Sequence, residues 1–523
     1  MTQALLLHEQ PEIHQRRWFL LGVMCLSLVM VVMSVSGINV ALPSMQQSLD
    51  ADATDLQWIV DSYAIVFAGL LLSAGAIGDR FGRKLALVGG LAVFAFGSLI
   101  GALADTSSMV IVSRAVAGIG AAFVMPATLS LVSAIFPPEE RGKAIAIWAG
   151  FAGAGGALGP LVVGFLLTGW WVFPSFWWGA AFVVNVVAAL AVLIAVALLS
   201  PRSRDDERTP LDPVGAALSL VGVAALLYGI IEGPAKGWGD SLVVGAFVLS
   251  VVTLAAFVRW ELRIEHPMLP MQFFRDRRFA TGSGVITFGF MVMFGFFFLI
   301  TQYFQFVRGW SPLRAGIATL PFAITMIIMS PRSEGFVRRF GVNNVMAAGF
   351  TSISAGFAVL ASMSTRTSYP IIVVGLVLLS AGMAVCMAPA TGSIMSSVPL
   401  NKAGVGSAVN DTTRELGGAL GIAILGSIVT SSYQARFDGG GSLPGDLGAV
   451  ADESIGGAIG VARQIGGVEG AQLVERAGVA FTGAINTAFV VSAVISVIAG
   501  VIVFTTGRRA PLPAPDREPA ASS

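Results

Sequence analysis

The 523-residue sequence predicts an all-α polytopic membrane protein with fourteen transmembrane helices and both termini in the cytoplasm. Three observations lead there. Hydrophobic residues make up 55% of the chain and charged residues only 12%, and the mean hydropathy is +0.81; a soluble core inside a polar shell does not have that balance. Fourteen apolar segments reach the roughly 20 residues that a helix needs to cross the hydrocarbon, centred near residues 30, 67, 94, 122, 155, 187, 222, 250, 292, 322, 352, 382, 418 and 492. Basic residues then orient them: with the N-terminus inside, 22 Lys and Arg fall in cytoplasmic segments and 7 outside, with Arg114 and Arg414 left within spans.

In chain order, residues 1–17 read as a polar cytoplasmic segment. The apolar run from Trp18 to Leu42 is too long for a signal-peptide core and has no small-residue cleavage site after it, so it reads as a retained first span. Residues 18–200 form an N-terminal six-helix half and 201–212 a charged cytoplasmic linker. Two inserted helices follow over 213–260, then a second cytoplasmic linker over 261–278. A C-terminal six-helix half occupies 279–507; within it, residues 433–478 read as an external, non-helical segment, Gly-rich at first and partly amphipathic after. The Pro-rich tail, 508–523, is cytoplasmic and reads as disordered. This division rests on an internal repeat: Arg80-Phe81-Gly82 recurs as Arg339-Phe340-Gly341, 259 residues later, and the same offset carries Pro43 onto Gln302. Gly and Pro inside several spans are compatible with membrane helices, whose neighbours resatisfy the backbone.

Several function classes fall away. A net charge of +1 gives no reason to expect nucleic acid as a partner. Cys25 and Cys386 both lie in apolar runs, which excludes a disulfide framework and a thiolate metal site. No phosphate loop for ATP is present; the nearest fragment, Gly142-Lys143-Ala144, lacks the leading Gly and the hydroxyl. His8, His14 and His266 all lie outside the spans, so a histidine proton relay is excluded. Without a metal-ligand cluster or a nucleophile–histidine arrangement the chain does not read as an enzyme and calls for no cofactor. The proton gradient is the natural energy source, at about 2.3 kcal/mol per charge moved through 100 mV. The expected partners are protons, the lipid bilayer and a small amphipathic substrate; nothing in the sequence names an obligate protein partner.

Between spans two and three, Gly75 to Lys84 reads as a short cytoplasmic loop. Gly75, Gly78 and Gly82 permit a tight reversal and close helix approach, Asp79 can lie near the N-terminus of the helix that follows, and Arg80, Arg83 and Lys84 mark the cytoplasmic side. Any such loop collects basic residues, but this order closely resembles the loop signature between spans two and three of the major facilitator superfamily. Ser113 to Gly120 in span four is similar to that superfamily's Arg-x-x-x-Gly-x-Gly pattern, in which the Arg is tied to proton transfer. Gly155, Gly159 and Pro160, with Gly164 beyond, resemble the span-five antiporter signature of exporters. Gly404 to Gly418, Asn39 to Pro43 and Glu232-Gly233-Pro234 resemble the fourteen-span drug:proton antiporter branch. The resemblance implies the major facilitator fold, a conformational gate at Gly75–Lys84, and proton-coupled efflux of small amphipathic or lipophilic compounds by alternating access, multidrug-exporter type, from the plasma (inner) membrane. The rivals are an uptake symporter on the same fold and a non-transporting membrane sensor or scaffold. For the glycine motifs, helix packing alone is an alternative, since small residues four apart let any two membrane helices approach.

Ionisable residues at membrane depth are the candidate proton-coupling groups, because a charge near the bilayer centre costs about 2.5–3.5 kcal/mol even on the lenient insertion scale. Asp61 and Arg114 each lie about five residues from the external end of their spans, roughly 7–9 Å deep, so a pair is possible; a static ion pair or a carboxylate reaching interfacial water is the alternative. In span thirteen Asp411 and Glu415 share a face and Arg414 can neutralise Asp411, which leaves Glu415 as the titratable group; a purely structural charge cluster is the alternative. Resembling exporters carry an acid five residues before Asn39, where this chain has Ser34. Coupling then passes to Asp61 or Glu415, or is absent. For the substrate pocket the polar candidates are Ser34, Asn39, Asn185 and Gln302, with Phe294 from the Phe- and Met-rich ninth span, most of which can equally face lipid.

Overall fold

The computed structural model describes residues 7, 10–49, 51, 53–168, 177–201, 212–437 and 447–507. With no water in the hydrocarbon, each apolar segment satisfies its backbone internally by becoming a helix. The N-terminal half consists of α1 (Pro11–Leu49), α2 (Ala53–Phe81), α3 (Arg83–Ala102), α4 (Ser107–Ile135), α5 (Pro138–Thr168) and α6 (Ala180–Leu199). The inserted pair is α7 (Pro213–Lys236) and α8 (Ser241–Glu261). Next come α9 (Arg277–Gln302) and a tenth span made of α10 (Pro312–Ala318), α11 (Leu320–Met329) and α12 (Ser333–Phe340). The chain continues with α13 (Val342–Leu360), α14 (Tyr369–Ser396), α15 (Ala403–Arg436), α16 (Leu447–Glu453), α17 (Ile455–Ile465) and α18 (Gly467–Gly507). All fourteen expected centres fall inside helices long and apolar enough to span. The tenth span breaks into pieces because Pro312 and Pro321 sit in the first turns of α10 and α11, and Pro331 in a short 3₁₀ turn, Ser330–Arg332, between α11 and α12, where a missing N–H costs nothing.

Each half has its own buried core. Phe67, Phe94, Leu129 and Trp148 centre the first, and Phe296, Phe322, Phe357 and Phe489 the second. The inserted pair packs on itself, with Gly222 under Leu254, and α7 leans on α2, where Leu220 Cδ1 comes within 2.8 Å of the Cβ position of Gly69. The outer helix α8 exposes Leu242, Val248, Val251 and Val252, a lipid-facing surface. The repeat seen in the sequence has a backbone counterpart. Gly82 (φ 115°) separates Phe81 from Arg83 and Gly341 (φ 81°) separates Phe340 from Val342, and both need the left-handed region that favours glycine.

Two expectations need correction. Most of Gly75–Lys84 is not a loop: α2 continues through Phe81, and only Gly82 lies between it and α3. The hydrogen-bond ladder persists because nothing before Gly82 breaks it. The external segment 433–478 is mostly helical where it is described: α15 runs to Arg436, α16 and α17 follow, and α18 begins at Gly467. Its Gly content conceals a short amphipathic helix, α17, started by the Ser454 side chain accepting from Gly457 N–H at 3.1 Å and burying Ile455, Ala458, Val461 and Ala462. Residues 11–17 extend α1, tied to α5 by Arg17 and Glu140 at 2.7 Å. The expectations for the linker 202–211 and the tail 508–523 lie outside the described residues.

Candidate functional site

At the cytoplasmic ends the two halves meet where α2 crosses α15. A Cβ on Gly75 would lie 2.5 Å from Gly404 O, and one on Gly404 would lie 2.6 Å from Gly75 O, so glycine on both sides is what allows the contact. One turn further, Asp79 is buried. It accepts from Gly404 N–H at 3.0 Å and Val405 N–H at 3.2 Å, and Arg83 Nε donates to it at 3.0 Å. Arg83 also donates to the Leu400 carbonyl. The position preceding α15 is Lys402, which makes no side-chain cap of its own. Asp79 therefore does across the interface what an N-cap side chain does locally, satisfying free N–H groups at the positive end of the helix. The helix it serves is α15, not the helix that follows it in sequence. Lys84 ties α3 to the end of α6 through Ser200 O at 2.8 Å, while Arg80 lies against the Phe81 ring. Gly78 packs against Ala86, inside the N-terminal half.

The second seam runs along α5. Gly155 and Gly159 face α1, with Gly37 N only 2.7 Å from the Gly159 Cβ position; Pro160 sits between that contact and Gly164, whose Cβ position lies 3.8 Å from Leu313 Cβ on α10. A stripe that the sequence reading passed over, Gly142, Ala146, Gly150 and Gly153, meets Glu334, Ser330 and Met326 of the tenth span, and the Ser330 hydroxyl donates to Ala146 O. Its spacing of three to four residues was the available signal.

Arg114 is 1% exposed. Its Nε donates to Ile59 O at 3.0 Å, its Nη1 to Ser34 Oγ at 3.2 Å, and its guanidinium stands 4.3 Å from the centre of the Tyr63 ring. A pair with Asp61 is not what holds it. Ile59 and Tyr63 are four residues apart and both face Arg114, which turns the buried Asp61 to the other side of α2. Gly118 lets α4 approach α2, its Cβ position 2.8 Å from Tyr63 O. Tyr63 is fully buried, its hydroxyl has no hydrogen-bond partner, and it lies within electrostatic reach of Glu415. An aromatic residue in an apolar run gave no sequence signal of that position.

On α15, Arg414 Nη1 pairs with Asp411 Oδ1 at 3.5 Å, as expected from their spacing, and the guanidinium lies 4.6 Å from the centre of the Phe290 ring. Asn410 Nδ2 donates to Asp411 at 3.2 Å and Thr391 Oγ1 to Asn410 at 3.0 Å. Glu415 is half-buried and, among the described residues, makes no ion pair. Next to this cluster a small cavity of about 10 Å³ lies where the halves meet, bordered by Trp148 of α5, by Phe290, Met293, Met326, Met383 and Met387, and by Thr391, Asn410 and Arg414. A second cavity of similar size is bordered by Ser34, Arg114 and Asn185. The other pocket candidates border neither: Asn39 is exposed on α1, Phe294 packs against Gly418, and Gln302 donates to Phe298 O at 3.3 Å. Phe288 and Phe298 face outward. On the cytoplasmic side a larger cavity of about 810 Å³ opens between α5, α9 and α12–α14, with Arg141, Thr281, Glu334, Asn343 and Ser393 among its polar groups.

The sequence profile of the Major Facilitator Superfamily matches residues 24–422. The multidrug efflux pump LfrA of Mycolicibacterium smegmatis is 34% identical over 94% of this chain and 97% of its own length. The tetracenomycin C resistance and export protein of Streptomyces glaucescens is 30% identical over 95% and 93%. Among solved structures, the proton:xylose symporter XylE aligns with a TM-score of 0.60 at 12% identity, covering 94% of this chain and 96% of that one, a likeness of fold alone.

Proposed function

The chain belongs to the Major Facilitator Superfamily, and from that membership we propose that it is a multi-pass plasma-membrane exporter that moves small amphipathic compounds out of the cytoplasm in exchange for protons. The observation that carries this reading is the cavity between the halves, where methionine and aromatic side chains stand beside Arg414 and its acids. Polarizable, flexible methionines suit varied apolar ligands, and near-full-length similarity to a multidrug efflux pump and to an antibiotic export protein supports the outward direction. Substrate arrives through the 810 Å³ cytoplasmic cavity. The gate is the contact of Gly75, Asp79 and Arg83 with the start of α15, with Gly78, Arg80, Gly82 and Lys84 flanking it, and Gly155, Gly159, Pro160 and Gly164 form the surface on which α5 moves. Glu415 loads the proton. Asp411 and Arg414 hold its surroundings, and Arg114 with Tyr63 transmits its charge state to the N-terminal half.

The test is reconstitution into liposomes with a pH-sensitive dye inside, an imposed proton gradient, and lipophilic cations and then neutral lipophiles added in turn. Proton movement that requires substrate supports antiport. Substrate binding without any proton movement would overturn it.

A further inference from the structure

Arg114 is a buried cation whose hydrogen bonds go only to neutral atoms, the Ile59 carbonyl and Ser34. No ion pair among the described residues includes it. A guanidinium keeps its proton at any physiological pH, and a charge taken out of water without a counter-charge is strongly unfavourable. Its Nη2 has no hydrogen-bond partner, and Arg114 borders the small cavity between α1, α4, α5 and α6. That cavity, about 10 Å³, has room for one small occupant. We propose that it binds a single small monovalent anion of chloride size as the counter-ion of Arg114.

The lining offers such an occupant a positive charge and two donors. Nη2–H is one donor. Ser34 Oγ accepts from Nη1, so its hydroxyl hydrogen is available as a second donor. Asn185 is the other polar group; its Nδ2 donates to Ala181 O at 3.1 Å and its Oδ1 is buried without a partner. With Nδ2 committed to Ala181 O, Asn185 offers an anion no donor, and the donors of the site are Nη2 and the Ser34 hydroxyl. Met33, Ile38, Val163 and Phe182 close the remaining sides. Carboxylates, sulfate and gluconate are too large to enter. The inference concerns occupancy of a cavity and stands independently of whether the chain transports anything.

The test uses the full-length protein purified in detergent. Chloride is titrated against gluconate at constant ionic strength while unfolding is followed by tryptophan fluorescence, and equilibrium binding of radioactive chloride is measured in parallel. A saturable rise in midpoint on the order of 3 °C is expected, with one chloride per chain that bromide displaces and gluconate does not. Ser34→Asp sets a fixed carboxylate against Nη1, so this variant should melt as high as the chloride-saturated wild type and lose both responses. Identical melting in the two salts with no displaceable chloride would show that the cavity holds water and overturn the proposal, as would a chloride response that survives intact in Ser34→Asp. If Ser34→Asp does not fold, wild-type chloride binding decides on its own.

Discussion

Glu415 differs from Asp411, four residues before it, in having no cation committed to it: Arg414 pairs with Asp411, and Asn410 donates there as well. Its neighbourhood reaches across the interface to Tyr63, and through that ring to Arg114. Glu415→Gln is therefore expected to abolish substrate-dependent proton movement in proteoliposomes while substrate binding stays within a few-fold of wild type. Retention of full coupled efflux would remove Glu415 from the proton path. Tyr63 offers a finer distinction. Its hydroxyl makes no hydrogen bond, so Tyr63→Phe should cost under about 1 kcal/mol of stability. Tyr63→Leu removes the ring facing the guanidinium, worth about 2 kcal/mol when desolvated, and should lower efflux clearly below the Phe variant. Charges within spans stand out in any sequence, which is why Arg114, Asp411, Arg414 and Glu415 were legible. Their depth could be counted along the helix, but the facing of Asp61 depends on how α2 is rotated against α4, and no local residue records that.

At the scale of elements, two crossings join the halves, and both depend on glycine. A methyl on Gly75 would meet Gly404 O at 2.5 Å and Ala408 Cβ at 2.7 Å, backbone and a short side chain that cannot swing away. Gly75→Ala should weaken the closed cytoplasmic contact by about 1–3 kcal/mol. Asp79→Asn removes charge-assisted hydrogen bonds at the same contact, about 1–2 kcal/mol, equivalent to a shift of roughly 5- to 30-fold in the balance of states. Both variants should populate inward-open states, detected as faster labelling of a cysteine placed on the α5 seam by an impermeant thiol reagent applied from the cytoplasm. Background labelling is low because Cys25 and Cys386 are both buried. Unchanged labelling in both would mean that this crossing does not gate. The sequence made the motif legible as a unit but misassigned it to a loop, since its glycines serve interhelical approach at Gly75 and a reversal only at Gly82. Likewise, no residue near Asp79 in sequence indicates that its partners lie 325 and 326 positions away.

For the whole molecule, the halves touch along both seams, and the cavity beside Arg414 where they meet is about 10 Å³, far below the roughly 300–1,000 Å³ of a drug-sized pocket. Transport therefore requires the halves to separate. The α5 seam allows a direct test, because the Cβ position of residue 164 lies 3.8 Å from Leu313 Cβ, the mean separation in disulfides. The double variant Gly164→Cys and Leu313→Cys should cross-link on oxidation, lose efflux and regain it on reduction; undiminished efflux in the oxidised form would mean that α5 and α10 travel together. The alternation of spans and the two-fold repeat were visible from apolar run lengths and from Arg80–Gly82 and Arg339–Gly341. The central cavity was not, because Met293, Met326, Met383 and Met387 come from three helices and converge only through packing.

The capping of α15 from the opposite half has a kinetic corollary. If the α2–α15 contact gates as proposed, Asp79 leaves α15 in each cycle and that helix begins cleanly only while the gate is shut. When Asp79 withdraws, Gly404 and Val405 lose their acceptors and the first turn either frays or turns to solvent. Amide hydrogen exchange at those two positions is thus a built-in clock of the cycle: slow when the cytoplasmic side is sealed, fast when it opens, and readable in the unlabelled protein under turnover.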